Sequence, residues 1–350
     1  MSLPTPNVLP PPYARTAPPT GIDLWLDGNE GPALAAELVD NLATGLASAE
    51  LWRRYPDDGP LRERLAARFG IASTQVVLGA GADELLDRIC RAWLAPGRSL
   101  VAPVPCFPML PRYVQAAGAT LTEMPWTDGA LDLEQLWRRA AGATVLALTT
   151  PNNPTGLAIA TDDLLRTARR VGDALLVVDL AYVDYADEDP TPALLREPNV
   201  LVVRTFSKGR SLAGLRVGYA LGSEPAVAAL RATGSPYPCS TPSLLLCERL
   251  LDADRPQPRL TRIRDERERL AVALASLDLT VLPSQANFVY ATAATRDQAL
   301  ALARRLAGRG IAVRSFPADG PSATAVRITC PGDDAAFTRL VEALLAGGRP

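Results

Sequence analysis

From about residue 60 the chain alternates two hydrophobic patterns. Apolar residues recur at helical spacing over 61–69, 83–93, 107–117 and 161–171, which predicts four amphipathic helices. Between and after them lie short runs that are apolar at nearly every position: 76–78, 99–102, 145–149, 174–179, 200–203 and 217–221. A strand that is apolar on both alternations is buried on both faces, and in a sheet this means that helices cover both sides. The rhythm therefore predicts a large α/β domain with a mostly parallel sheet. Beyond Thr241 the pattern changes to long helices, then a strand over 286–290, a helix over 296–309, strands over 311–314 and 325–329, and a final helix from Asp333. That order predicts a smaller α+β domain. Residues 1 to 20 hold seven prolines and little periodicity, as in an extended arm that is ordered only against another surface. The expected division is an arm and part of the small domain over 1–50, the large domain over 51–240 and the small domain over 241–350.

Charge and cysteine usage narrow the classes without choosing among them. The 350 residues carry a net charge of −2, which gives no electrostatic reason to expect nucleic acid. The dense charge run over 262–269 mixes both signs, as a solvated helix with i,i+4 pairs does. No apolar run reaches the roughly 20 residues needed to span a bilayer. The first residues lack the basic and apolar regions of a signal peptide, so a cytoplasmic location is expected. Cys90, Cys106, Cys239, Cys247 and Cys330 are odd in number and widely spaced, which argues against a disulfide framework or a zinc site.

Two compositional facts bear directly on chemistry. The chain has no histidine, which excludes a Ser-His-Asp triad, a Cys-His pair and any imidazole-bound metal. It has 35 arginines but a single lysine, Lys208. A guanidinium is always protonated and does not attack carbonyls, whereas a lysine amine can lose its proton and form a Schiff base. The one position where lysine survives is therefore the candidate for that chemistry.

Polar residues stand where three predicted strands end: Pro151-Asn-Asn-Pro-Thr-Gly156, Asp179-Leu-Ala-Tyr182 and Ser207-Lys208. Open α/β sheets bind ligands outside the carboxyl ends of their strands, so these segments are expected to share one site. Asp179 closes an apolar strand, where a carboxylate is costly unless paired with a cation such as a protonated pyridine. Gly79-Ala-Gly-Ala-Asp-Glu84 joins a strand to a helix and would aim backbone N–H groups at an anion. It lacks the last glycine of a dinucleotide fingerprint and a Walker lysine, which favours a single phosphate. Arg216 would add a bidentate clamp on that phosphate, and Ser207 a hydroxyl donor.

The ordered set Asn153-Pro-Thr-Gly156, Asp179 to Tyr182, Ser207-Lys208 and Arg216 resembles the fold-type I pyridoxal-phosphate aminotransferases of the class I/II group. The resemblance runs from about Tyr13 to the C-terminus and implies an aspartate-aminotransferase-like fold with pyridoxal 5'-phosphate as cofactor. It implies that Lys208 binds the cofactor aldehyde, Asp179 the pyridinium nitrogen, and Asn153 with Tyr182 the phenolic oxygen. Ala82, Asp83, Ser207 and Arg216 would hold the phosphate. Phe107 would stack on the ring, where many relatives have tyrosine. Tyr55 would reach the phosphate of a neighbouring subunit, which implies a homodimer.

Within that group, Leu26-Asp-Gly-Asn-Glu-Gly-Pro32, Pro236 to Pro242, Ala286-Asn-Phe288, Arg314 and Arg327 look like the histidinol-phosphate aminotransferases of histidine biosynthesis. That likeness implies L-histidinol phosphate and 2-oxoglutarate as substrates, with Arg314, Arg327, Tyr13 and Asn29 at the substrate. Three departures stand near the expected pocket: Leu180 for a glutamate, Gly209-Arg210 for Ala-Phe, and Cys330-Pro-Gly332 for Val-Gly-Thr. They keep open an aminotransferase for aromatic or specialised metabolites, or a lyase resembling the phosphothreonine decarboxylases.

Overall fold

The computed structural model of the protein describes residues 20–346 except 45, 47, 254 and 255, so Tyr13 and most of the proline-rich arm lie outside the described residues. Two sheets organise the rest. Strand β1 (Leu24–Leu26) belongs to the smaller one. Strands β2 (Val76–Gly79), β3 (Ser99–Val104), β4 (Thr120–Pro125), β5 (Val145–Thr149), β6 (Leu175–Asp179), β7 (Val200–Thr205) and β8 (Gly218–Gly222) form the larger. Strands β9 (Thr280–Val281), β10 (Phe288–Thr292), β11 (Ile311–Ser315) and β12 (Ala325–Thr329) complete the smaller.

The larger sheet has the order β2-β8-β7-β6-β5-β3-β4. Its central strands run parallel, and β8 alone opposes its neighbours β7 and β2. The double apolar pattern has the structural meaning expected of it. Leu176 and Val178 of β6 join one core together with Leu146, Leu148, Val200 and Val202. Leu175 and Val177 join the core on the opposite face with Val145, Ala147, Leu201 and Val203. Each such side chain, fully buried, contributes roughly 1.5–3 kcal/mol of transfer free energy. The sheet is thus held from both sides, and the carboxyl ends of its strands are left as a rigid rim.

The five-stranded sheet has the order β1-β11-β12-β10-β9 and is antiparallel except where β1 lies parallel to β11. It packs on the helices Gln257–Ala275, Arg296–Ala307 and Asp334–Leu345 around a third core that includes Phe288, Ile328 and Phe337. The second of these helices starts where expected because Thr295 caps it. Its Oγ1 accepts from the Gln298 N–H at 3.3 Å while the Gln298 side chain accepts from the Thr295 N–H at 3.1 Å.

Two details depart from the sequence expectation. The helix predicted over 107–117 spans Met109–Ala116, so Phe107 stands in the turn after β3, ahead of a helix capped by Pro108. The helix Thr241–Ala253, grouped by sequence with the smaller domain, buries Leu244, Cys247 and Leu250 in a core of the larger sheet. Periodicity reveals an apolar helix face but not which sheet lies beneath it. Among the described residues no helix is long and apolar enough to cross a membrane.

Candidate active site

Parallel pairing sets the carboxyl ends of β5, β6 and β7 side by side, with Thr149 opposite Asp179 and Asp179 opposite Val203. Asn153 follows β5, Asp179 ends β6, and Lys208 follows β7. A cavity of about 970 Å³ opens over these ends and is closed from the smaller sheet by Arg314 and Arg327. The two arginines face each other across the β11–β12 ladder. Lysine, carboxylate and arginines therefore meet in one space although they are far apart in sequence.

The Lys208 Nζ donates to the Gly28 carbonyl at 3.0 Å and sits 5.8 Å from the ring centroid of Tyr182. Burial, with Arg327 and Arg216 nearby, pulls its pKa down to about 8, while Glu30 and Asp179 oppose the shift. An amine so placed gives up its proton at a lower pH than an exposed lysine does. Asp179 is 7% exposed, and its Oδ1 accepts from the Ala181 N–H at 3.0 Å. Burial pushes its pKa up to about 6, and Asp83 adds to this, while the Ala181 N–H and Lys208 act the other way. A carboxylate in this state is strengthened by any cation presented to it from the cavity.

Tyr182 is buried, with its ring edge-on to Phe288 at 5.3 Å and its hydroxyl accepting from Asn29 Nδ2 at 3.1 Å. Burial raises its pKa against the pull of Arg327 and Asn29. Asn29 is itself fixed at φ 55°, with its backbone N–H donating to Thr329 Oγ1 and its carbonyl accepting from Asn287 Nδ2. Arg327 donates to Asn153 Oδ1 at 2.5 Å and to the Asp27 carbonyl at 2.6 Å. The strap 27–30, Tyr182, Asn153 and Arg327 thus form one hydrogen-bonded wall.

An anion cradle lies at the other end. The helix Gly81–Trp93 starts at the cavity with Ala82 and Asp83 in its first turn, where N–H groups have no partner within the helix. Gly81 has φ +85°, and a side chain there would place Cβ 2.5 Å from Arg216 Nη2. Arg216 Nη1 lies 3.4 Å from Ser207 Oγ, and the Asp83 carboxylate accepts from the Tyr113 hydroxyl. Guanidinium, hydroxyl and helix N-terminus converge as a phosphate requires.

Phe107 lines the same cavity. Tyr55 does not: it is 80% exposed and stacks on Tyr237 with ring centroids 4.7 Å apart. Tyr13 lies outside the described residues. None of the three sequence departures lines the cavity. Leu180 is buried in the core beneath the sheet, Cys330 is buried in the core of the smaller sheet, and Gly209 packs against Asp184. Leu180 and Gly209 stand next to the lining residues Asp179 and Lys208 without lining the cavity themselves. Gly28, Glu30, Cys106 and Glu123, which sequence reasoning passed over as individual residues, do line it. The first two fall in the segment 26–32 already singled out.

A lysine, a buried carboxylate, a phosphate cradle and paired arginines at the carboxyl rim of a parallel sheet define an enzyme of amine and carbonyl chemistry. The chain belongs to the aminotransferases of class I and II, whose family model matches residues 29–344. It is 36% identical over 333 residues to the histidinol-phosphate aminotransferase of Xanthomonas euvesicatoria, covering 90% of this chain and 88% of that protein. Its fold matches a histidinol-phosphate aminotransferase from Sinorhizobium meliloti solved with pyridoxal 5'-phosphate, with TM-score 0.83 and 28% identity over 92% of this chain and 90% of that one. It also matches the aspartate aminotransferase of Thermus thermophilus, with TM-score 0.79 and 23% identity over 93% and 92% of the two chains. The fold is of the aspartate-aminotransferase type.

Proposed function

We propose that this aminotransferase uses pyridoxal 5'-phosphate to move an amino group from L-histidinol phosphate to 2-oxoglutarate. The observation that carries the reading is the sole lysine of the chain, half-buried in one cavity with Asp179 and the arginine pair. The likeness over nine-tenths of the chain to a histidinol-phosphate aminotransferase supports the substrate. The residues fit the cofactor: a buried carboxylate whose pKa is raised by burial, a glycine whose side chain would fill the phosphate cradle, and an amine of lowered pKa.

When bound, pyridoxal phosphate supplies an aldehyde for the amine and a pyridine ring that accepts the electron pair left on the substrate carbon. Lys208 would hold the aldehyde at rest and, once freed by the substrate amine, would move a proton from the substrate Cα to the former aldehyde carbon, so that the amino group passes to the cofactor. Asp179 would pair with the ring nitrogen and keep it protonated. Asn153 and Tyr182 would serve the phenolic oxygen. Phe107 would cover the ring face, and Ala82, Asp83, Ser207 and Arg216 would hold the phosphate. Arg314 and Arg327 would bind the anionic group of the donor and a carboxylate of the acceptor, with Asn29 steadying the wall beside them. A second copy of the chain would bring Tyr55 to the phosphate.

The deciding experiment is a half-reaction. Cofactor-loaded protein is mixed with L-histidinol phosphate and no keto acid, and the visible absorption band is followed. Bleaching with recovery on adding 2-oxoglutarate is expected. An unchanged band, with bleaching by an aromatic amino acid instead, would overturn the histidinol-phosphate reading. Carbon dioxide release from a phosphorylated amino acid such as phosphothreonine, without a keto acid, would mark a lyase.

A further inference from the structure

The turns that carry Tyr182 and Lys208 touch through an ion cluster built around a buried arginine. Arg204, in β7 and 6% exposed, donates from Nη2 to Asp184 Oδ1 at 3.0 Å. From Nη1 it donates to Asp189 Oδ2 at 2.6 Å and to Thr191 Oγ1 at 2.9 Å. Asp184 lies two residues after Tyr182, in the short helical turn Val183–Tyr185. That turn is gripped on its other side by Arg264, which donates to the Tyr185 carbonyl at 3.1 Å and to the Ala186 carbonyl at 2.7 Å. The buried guanidinium holds both carboxylates in place, because without it two partly buried acids would face each other unpaired.

The free side of the Asp184 carboxylate presses on Gly209, the residue directly after Lys208. A Cβ at Gly209 would overlap the Cβ and Oδ2 of Asp184. Gly209 has no positive φ to explain it, so space is the reason for glycine here. Neither Asp184 nor Gly209 lines the cavity.

We propose that Asp184 is a positioning residue: anchored by Arg204, it fills the space beside Gly209 and so sets the turn bearing Lys208 against the turn bearing Tyr182. The inference rests on the reading of Lys208 as the lysine that binds pyridoxal phosphate.

The test is a double-mutant cycle read by the dissociation constant for pyridoxal phosphate, measured by adding it back to cofactor-free protein. Gly209→Ala is expected to weaken binding by at least about tenfold in the natural background, but by less than about twofold when Asp184→Gly has removed the overlapping Cβ and carboxylate. Asp184→Asn keeps the volume, so Gly209→Ala combined with it is expected to stay as weak as Gly209→Ala alone. The unfolding temperature of each cofactor-free variant separates loss of fold from loss of position. A Gly209→Ala penalty that is absent, or equal in the natural and Asp184→Gly backgrounds, overturns the proposal. If Gly209→Ala does not fold, recovery of folding in the Asp184→Gly double variant supports the overlap, and no recovery overturns it. Failure of the natural protein to bind pyridoxal phosphate at all would instead overturn the cofactor reading.

Discussion

Lysine and arginine carry the same charge but differ in what their nitrogen can do, and at Lys208 that difference is testable. Lys208→Arg keeps a cation in the pocket but no attacking amine. It is expected to fold and to keep binding pyridoxal phosphate noncovalently, while turnover falls by about 10³-fold or more. An arginine variant with turnover near that of the natural protein would refute the assignment. Asp179 gives a prediction in which the sign matters. Its folded pKa of about 6 is raised above the ordinary aspartate value of 3.8 by burial. The folded state therefore binds the extra proton in that window, and the stability this brings is full below pH 3.8 and lost as pH rises through 6. Asp179→Asn removes the loss, so the cofactor-free variant should be more stable than the natural protein at pH 7.5, by at most on the order of 3 kcal/mol. Near pH 4 the two should differ little. With cofactor bound the order should reverse at pH 7.5, because the variant has no anion for the ring nitrogen. Thermal unfolding of both forms at both pH values checks all three expectations.

Elements differ in how much of themselves they show in sequence. Strands β5, β6 and β7 were legible because burial on both faces leaves them apolar at nearly every position. Strand β4 was not, because it is a sheet edge whose Thr120, Glu123 and Pro125 are exposed and break the pattern. Strands β1 and β9, of three and two residues, are too short to show any period. The site divides the same way. Asp179, Lys208 and Asn153 stand at strand ends, where polar residues interrupt apolar runs. The Gly28 carbonyl that accepts from Lys208 lies 180 positions away, and no spacing announces it. The phosphate cradle is a contact between elements of this hidden kind. Gly218 at the start of β8 sits against the first turn of the helix Gly81–Trp93, and a Cβ there would overlap the Ala82 nitrogen and come within 2.5 Å of the Gly81 carbonyl carbon. Backbone cannot swing aside as a side-chain tip can. Gly218→Ala is expected to cost on the order of 1–3 kcal/mol of stability and to weaken cofactor binding more than it changes the KM for the amino donor. Urea unfolding and cofactor titration would show it, and an unchanged cofactor affinity would argue against the cradle.

At the scale of the molecule the site is a seam between two sheets, drawing residues from Asp27 to Arg327. One expected contributor is missing from the seam of its own chain. Tyr55 is 80% exposed and Tyr237 49% exposed; the two stack on one another, and Trp52, 62% exposed, lies three residues before Tyr55. Exposed aromatic clusters of this kind are characteristic of surfaces that meet a partner. In the proposed homodimer Tyr55 would act on the neighbouring site, and symmetry makes this separable from action at its own. In a hybrid of Lys208→Ala and Tyr55→Ala subunits, a tyrosine acting across the interface puts both lesions in one site and leaves the other intact. A tyrosine acting within its own subunit leaves one lesion in each. Unfolding and refolding the two inactive or weakened variants together in equal amounts gives half hybrids, so about a quarter of all sites should regain full activity. Activity no higher than that of the Tyr55→Ala protein alone would place the tyrosine's action in its own chain or remove it from the mechanism, and a monomer by light scattering would remove the shared site altogether.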